Sequence, residues 1–164
     1  MRSLRIIVLF GLVGHFLQGM ASPAAPGRLI AEMTAYAQSG NYSEVVRFCR
    51  DLEKAYPSAA KCTHMGASAQ GRDIKALVVS KTGVLDAATA KRRQLPVLLV
   101  IGGTHAGEID GKDAGLILMR ELLADKGKQN PLNHLVVVFV PVFNVDGHEA
   151  RSRFSRPNQN GPLE

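Results

Sequence analysis

Two unbroken apolar runs constrain the fold of this chain more than any other feature. They are Pro96-Val97-Leu98-Leu99-Val100-Ile101 and Leu135-Val136-Val137-Val138-Phe139-Val140. A strand with one wet face alternates apolar and polar residues. A strand apolar at every position needs cover on both faces, as in the centre of an α/β sheet. Between the runs the spacing predicts a helix from about Asp110 to Ala124. Leu116, Met119 and Leu123 form one stripe on it, and Gly111, Gly115, Leu118 and Leu122 form a second, so the helix is expected to be largely buried. Strand, helix, strand is a βαβ unit, expected to be right-handed with a parallel pair. The fold class expected is α/β, with a mixed, mostly parallel sheet and helices on both faces.

The rest of the chain adds elements to that centre. Helices are predicted over Arg28–Ala37 and Ser43–Ala55. The second begins at Asn41-Tyr42-Ser43, carries Val45, Val46, Cys49 and Leu52 at helical spacing, and stops at Pro57. Lys61–Ala67 and Lys75–Ser80 read as strands of a hairpin turned at Ala69-Gln70-Gly71-Arg72, and Lys91–Gln94 reads as a loop. After Pro141 the sequence is polar and rich in turn residues.

The N-terminus has a separate character. Arg2 and Arg5 precede an apolar run from Ile6 to Leu17, and small residues stand at Gly19 and Ala21. This is the pattern of a secretory signal cut after Ala21. The run is shorter than the roughly 20 residues that span a bilayer, so no stable membrane anchor is expected. Residues 1–21 read as signal peptide, 22–27 as linker and 28–164 as one domain, secreted or periplasmic. Losing the signal lowers the net charge from +6 to +4, because Arg2 and Arg5 depart. Lys91-Arg92-Arg93 is the one visible basic cluster and has no aromatic neighbours, so no nucleic-acid partner is expected. Two cysteines, Cys49 and Cys62, are too few for a disulfide framework. They could pair in an oxidising compartment or stay as two buried thiols.

Chemistry concentrates in Gly102-Gly103-Thr104-His105-Ala106-Gly107-Glu108, between the first apolar strand and the buried helix. Ligands of open α/β sheets bind outside the carboxyl ends of strands, where this loop falls. A His and a Glu three apart can point the same way if the turn between them is tight, and imidazole nitrogen with carboxylate oxygen suits Zn²⁺. His148-Glu149-Ala150-Arg151-Ser152 begins like the His-Glu-x-x-His zinc motif but has Ser at the second His position. No Gly-x-Ser-x-Gly elbow or Walker loop occurs, which leaves serine hydrolase and P-loop readings without support.

Three segments together resemble the carboxypeptidase A-like zinc metallocarboxypeptidases, over about residues 28 to 164. Thr104-His105-Ala106-Gly107-Glu108-Ile109-Asp110-Gly111 is similar to that family's zinc loop. Gly66-Ala67-Ser68-Ala69-Gln70-Gly71-Arg72 is similar to its Gly-x-Ser-x-x-Gly-Arg hairpin, and Pro141-Val142-Phe143-Asn144-Val145-Asp146-Gly147 to its Pro-x-x-Asn-x-Asp-Gly turn. The resemblance implies Zn²⁺ as cofactor, with His105 and Glu108 as two of three ligands. It implies that Asp146 accepts a hydrogen bond from the non-ligating nitrogen of His105, although Asn-x-Asp-Gly also reads as a simple Asx-turn. It implies that Arg72 lines the substrate cleft, where the alternative is a solvated cation at a hairpin tip.

The family's third ligand, a His, lies well over one hundred residues past the first pair, and its general-base Glu lies farther still. The resemblance therefore covers an N-terminal half, apparently truncated, with the catalytic Glu expected beyond residue 164. His134 and His148 do not occupy the third ligand's position. Two functional expectations follow: a peptidase acting on the C-terminus of a peptide or peptidoglycan peptide, incomplete and inactive alone, or a non-catalytic exported binding or scaffold domain. The isolated chain is expected to be poorly soluble, with an uncovered edge or face at Leu135–Val140.

Overall fold

The computed structural model describes residues 26–150. The expected signal peptide, its cleavage after Ala21, most of the linker and the polar stretch after Ala150 lie outside the described residues. Among the described residues no helix is long and apolar enough to cross a membrane.

The first helical signal yields only a short helix, α1 (Ile30–Met33). It stops early because Ala35 and Tyr36 take left-handed backbone angles, φ +50° and +66°. Helix α2 (Tyr42–Ala55) begins where Asn41 caps it, its side chain accepting the Glu44 N–H. Val45, Phe48, Cys49 and Leu52 form its buried face. The hairpin follows as β1 (Ala60–Ala67) and β2 (Asp73–Val79), antiparallel, with a register shift between His64 and Gly66. Gly71 takes φ +76° in the turn, a conformation in which a Cβ is disfavoured. Cys49 and Cys62 form a disulfide that ties α2 to β1, with Cα atoms 5.4 Å apart. Closing a loop of that length is worth about 3 kcal/mol.

The segment expected to be a loop around Lys91 contains helix α3 (Ala87–Arg92), capped by Asp86 through the Thr89 N–H at 2.8 Å. The two apolar runs become β3 (Val97–Ile101) and β4 (Val136–Val140), joined by α4 (Asp110–Ala124) and a 3-10 turn at Pro131–Asn133. A last short helix, α5 (Val145–Glu149), replaces the turn-rich stretch expected after Pro141. Asn144 caps it, its side chain accepting the Gly147 N–H at 2.9 Å.

The strand order is β1-β2-β4-β3. The β3–β4 pair is parallel, as the βαβ reading requires, while β1–β2 and β2–β4 are antiparallel. The sheet is mixed and the class is α/β, with less parallel pairing among the described residues than the apolar runs imply. One face packs on α2 and α4 through Leu77, Val79, Val137, Phe139, Leu116 and Met119. Val78 and Val136 alternate to the other face and meet Val84, Ala90 and Leu95 around α3.

Two expectations about cover are corrected. Strand β4 is paired on both sides and mostly buried, so it has no open edge. The exposed strand is β3, whose five apolar residues are 38–58% exposed. An unbroken apolar run records that a strand needs cover on both faces. It does not say which part of the polypeptide supplies that cover, and the described residues do not. Leu118, placed on an apolar stripe of α4, is likewise exposed.

Candidate metal centre

The loop leaving β3 is shaped by close backbone approach. A Cβ at Gly102 would stand 2.7 Å from the Pro141 carbonyl oxygen, and one at Gly103 would stand 3.0 Å from Val142 Cα. Glycine at these positions lets the loop run beside the segment leaving β4. The Gly102 N–H donates to Val140 O at 2.8 Å, Phe143 N–H to Gly102 O at 3.0 Å, and Asn144 N–H to Gly103 O at 2.9 Å. The two parallel strands thus deliver their loops to the same carboxyl end of the sheet, the usual ligand side of an α/β fold.

Past the glycines the chain turns on itself. Glu108 N–H donates to His105 O at 3.3 Å, and Gly107 sits at φ +79°. The turn brings the His105 and Glu108 side chains face to face, with Nδ1 3.2 Å from both Oε1 and Oε2. Zinc holds imidazole nitrogen and carboxylate oxygen at about 2.0–2.2 Å, and tetrahedral geometry separates two such donors by roughly 3.3–3.5 Å. The observed separation is within a few tenths of an ångström of that edge. Both side chains are largely exposed, 64% and 47%, so an ion can reach them. The donor pair fits a zinc ion in chemistry and spacing. Among the described residues no group of three or more His, Cys, Asp or Glu side chains is placed to hold a metal. His64 pairs instead with Asp73, Nδ1 to Oδ1 at 2.6 Å, and His148 is buried in α5 beside Glu149.

Asp146 occupies a different place from the one the resemblance implies. Its carboxylate accepts from Ser68 Oγ at 2.8 Å, Gln70 N–H at 3.0 Å and Arg72 Nη1 at 2.5 Å, so its partners lie in the hairpin turn rather than at His105. Burial raises its carboxyl, but the Ser68 and Arg72 side chains and the Gln70 amide together outweigh that and hold it below the usual carboxylate range. Helix α5, which carries Asp146, lies close to the metal loop: a Cβ added at Gly147 would stand 2.6 Å from Asn144 Nδ2 and 3.0 Å from Ala106 Cβ. Arg72 also donates to the Gln70 side chain and borders an open depression of about 700 Å³ shared with Arg47, Arg50 and Glu149.

Sequence reasoning assigned no role to Ser68 or Gln70, although both stand inside a motif it had singled out. It also missed Lys112, fully buried two residues into α4, because a lone Lys after Asp-Gly gives no pattern to read.

A family model described as zinc carboxypeptidase matches residues 45–162. The chain belongs to the zinc carboxypeptidase family. Among curated relatives, carboxypeptidase D of Drosophila melanogaster is 29% identical over 149 residues, covering 86% of this chain and 10% of that protein. The inactive metallocarboxypeptidase ECM14 of Ajellomyces capsulatus is 34% identical over 110 residues, covering 65% of this chain and 18% of that protein. Carboxypeptidase A from Helicoverpa armigera has a similar structure, with TM-score 0.58, 25% identity and coverage of 72% of this chain and 30% of the other. Bovine thrombin-activatable fibrinolysis inhibitor, solved with a tick carboxypeptidase inhibitor, shares the fold at TM-score 0.54 and 24% identity, with coverage of 69% and 33%. The chain therefore spans between a tenth and a third of the length of these relatives. The relatives include one whose name marks it inactive, so membership alone does not establish activity.

Proposed function

We propose that this chain supplies the metal loop of an exported zinc carboxypeptidase, with His105 and Glu108 as two protein ligands of one Zn²⁺. The observation that carries this reading is the 3.2 Å approach of His105 Nδ1 to the Glu108 carboxylate on a loop at the carboxyl end of β3. A bound zinc of this type polarises a scissile carbonyl and activates water. The chain's own contribution is to hold an imidazole nitrogen and a carboxylate 3.2 Å apart, on a loop tied by backbone hydrogen bonds to the segment after β4; these two would hold the ion. Arg72 borders an open depression with Arg47 and Arg50, and the resemblance is what supports a substrate there. The substrate class is a peptide C-terminus, whether on a protein fragment or on a peptidoglycan peptide. Peptidase turnover also needs a third ligand and a general base, which the family places beyond residue 164.

The test is a Co²⁺ absorption titration of the chain, followed by displacement with Zn²⁺. One metal per chain is expected, with His105→Ala and Glu108→Gln each abolishing the signal. A chain that takes up no metal, or one whose uptake survives His105→Ala, would falsify the assignment. A second reading, a non-catalytic binding domain, draws on the lack of a third donor among the described residues. The readings part if a longer chain containing a downstream His and Glu is assayed for release of C-terminal residues.

A further inference from the structure

We propose that the β1–β2 turn positions the His105–Glu108 loop, acting at a distance through Asp146, and that Arg72 is a positioning residue for the metal site. The proposal rests on the metal reading above and goes further, to how the site is held in place.

The turn is closed by its own hydrogen bonds. Ser68 N–H donates to Arg72 O at 2.8 Å and Gly71 N–H to Ser68 O at 2.9 Å, while Arg72 N–H donates to Ser68 Oγ at 3.0 Å. That Oγ in turn donates to Asp146, so each group is oriented by another. The turn presents one hydroxyl, one amide and one guanidinium to a single carboxylate. A carboxylate that accepts three donors, one of them charged, is held far more tightly than a solvated one. The Asp146 side chain is only 17% exposed, which screens these bonds little from one another.

Asp146 lies in the first turn of α5, and α5 contacts the metal loop in two ways. At Gly147 it is so close to Ala106 that a side chain there would have to displace either Ala106 or Asn144. Immediately upstream, Phe143 and Asn144 are hydrogen-bonded to the backbone of Gly102 and Gly103. A path of direct contacts thus runs from Ser68, Gln70 and Arg72 to Asp146, then through Gly147 and Asn144 to Ala106 and Gly103, which flank His105. On this proposal a shift of the carboxylate is passed through α5 to the loop, along the hydrogen bonds from Phe143 and Asn144 to Gly102 and Gly103. His105 and Glu108 are both exposed and are carried on this loop, so their placement follows the backbone beneath them.

The experiment combines Zn²⁺ calorimetry with amide hydrogen exchange on the full 164-residue chain. The variants are Ser68→Ala, Arg72→Ala, Arg72→Lys, Asp146→Asn and the Arg72→Ala/Asp146→Asn pair. Partners that orient ligands typically affect metal affinity 10- to 100-fold. Arg72→Ala and Ser68→Ala are each expected to weaken Zn²⁺ binding by about tenfold. The Phe143 and Asn144 amides should exchange faster in these variants, while amides of β2 and β4 keep their protection. Arg72→Lys should recover part of the loss, and the double variant should bind no more weakly than Asp146→Asn alone. Unchanged Zn²⁺ affinity with Phe143 and Asn144 still protected would overturn the proposal. So would additive losses in the double variant, or faster exchange throughout the sheet, which would mark a general loss of stability. If the wild-type chain binds no Zn²⁺ the metal reading fails, and the exchange pattern alone then decides whether the turn holds the loop.

Discussion

Lys112 is completely buried at the start of α4, next to the metal loop, and its surroundings show what an ammonium group needs there. Its Nζ donates to Ser39 Oγ at 2.6 Å and Gly40 O at 2.9 Å, and lies 3.0 Å from Asp113 Oδ1. Ser39 Oγ donates onward to Asp113 Oδ2 at 2.6 Å. Taking one ion out of such a pair leaves the other buried without compensation, a loss of about 3–5 kcal/mol. Lys112→Met should therefore lower the free energy of unfolding in urea by about that amount; a change below about 1 kcal/mol would show that the pair is dispensable. Glu32 gives a pH-dependent counterpart. It receives both Arg120 nitrogens, at 2.9 and 2.5 Å, and the Leu29 N–H at 2.8 Å. The Arg120 hydrogen bonds lower its carboxyl most, burial works against them, and Leu29 lowers it further, so the folded value lies below the ordinary 4.5. A group depressed on folding stabilises fully above its unfolded value and loses that contribution as pH falls through the folded one. Melting temperature should accordingly fall less steeply below about pH 4.5 in Glu32→Gln than in the wild type. Parallel slopes would mean that Glu32 is not linked to folding.

At the scale of elements, α4 and β4 meet through a glycine. A Cβ at Gly115 would run into the Phe139 ring, with two ring carbons at 2.8 Å, and Phe139 is 1% exposed. Alanine would gain about 1 kcal/mol of helix propensity, while overpacking a filled core costs about 1–3 kcal/mol. The second effect should win, so Gly115→Ala is expected to lower stability by up to about 2 kcal/mol in chemical denaturation, whereas a gain would show that the ring has room to move. Elements with long periodic signals, such as α2, α4 and the hairpin, were legible in the sequence, and so was the placement of His105 and Glu108 on one loop. Short elements were less so. Helix α3 rests on a single Asp86 cap and α5 on an Asn144 cap, and each is too short to display a stripe. The partners of Asp146 were hidden for another reason: Ser68 and Asp146 are far apart in sequence, and only the packing of α5 beneath the hairpin turn brings them together. The cysteine pairing was undecidable for the same reason, since spacing cannot report that Cys49 faces β1.

For the molecule as a whole, the two edges that the sheet has among the described residues differ. At the β1 edge stand a charged residue, Lys61, and a register shift beside His64, both devices that discourage another strand from pairing. The β3 edge has neither: Val97, Leu98, Leu99, Val100 and Ile101 are all apolar and all exposed. Phe143, just past the end of β4, adds further exposed apolar surface, at 44%. An uncharged strand of this kind is a template for association, and a charged side chain on the edge, lysine above all, is one way natural sheets suppress it. Leu99, mid-strand and 58% exposed, is the position where a lysine would interrupt pairing with least effect on the core. Surface substitutions away from packing contacts usually change stability by less than about 0.5 kcal/mol. Leu99→Lys should therefore raise the fraction of monomer seen by light scattering while leaving the melting temperature nearly unchanged. The expected outcome requires β3 to be the surface that associates. A wild-type chain that stays monomeric at high concentration, or an aggregating chain that Leu99→Lys does not improve, would place the liability elsewhere.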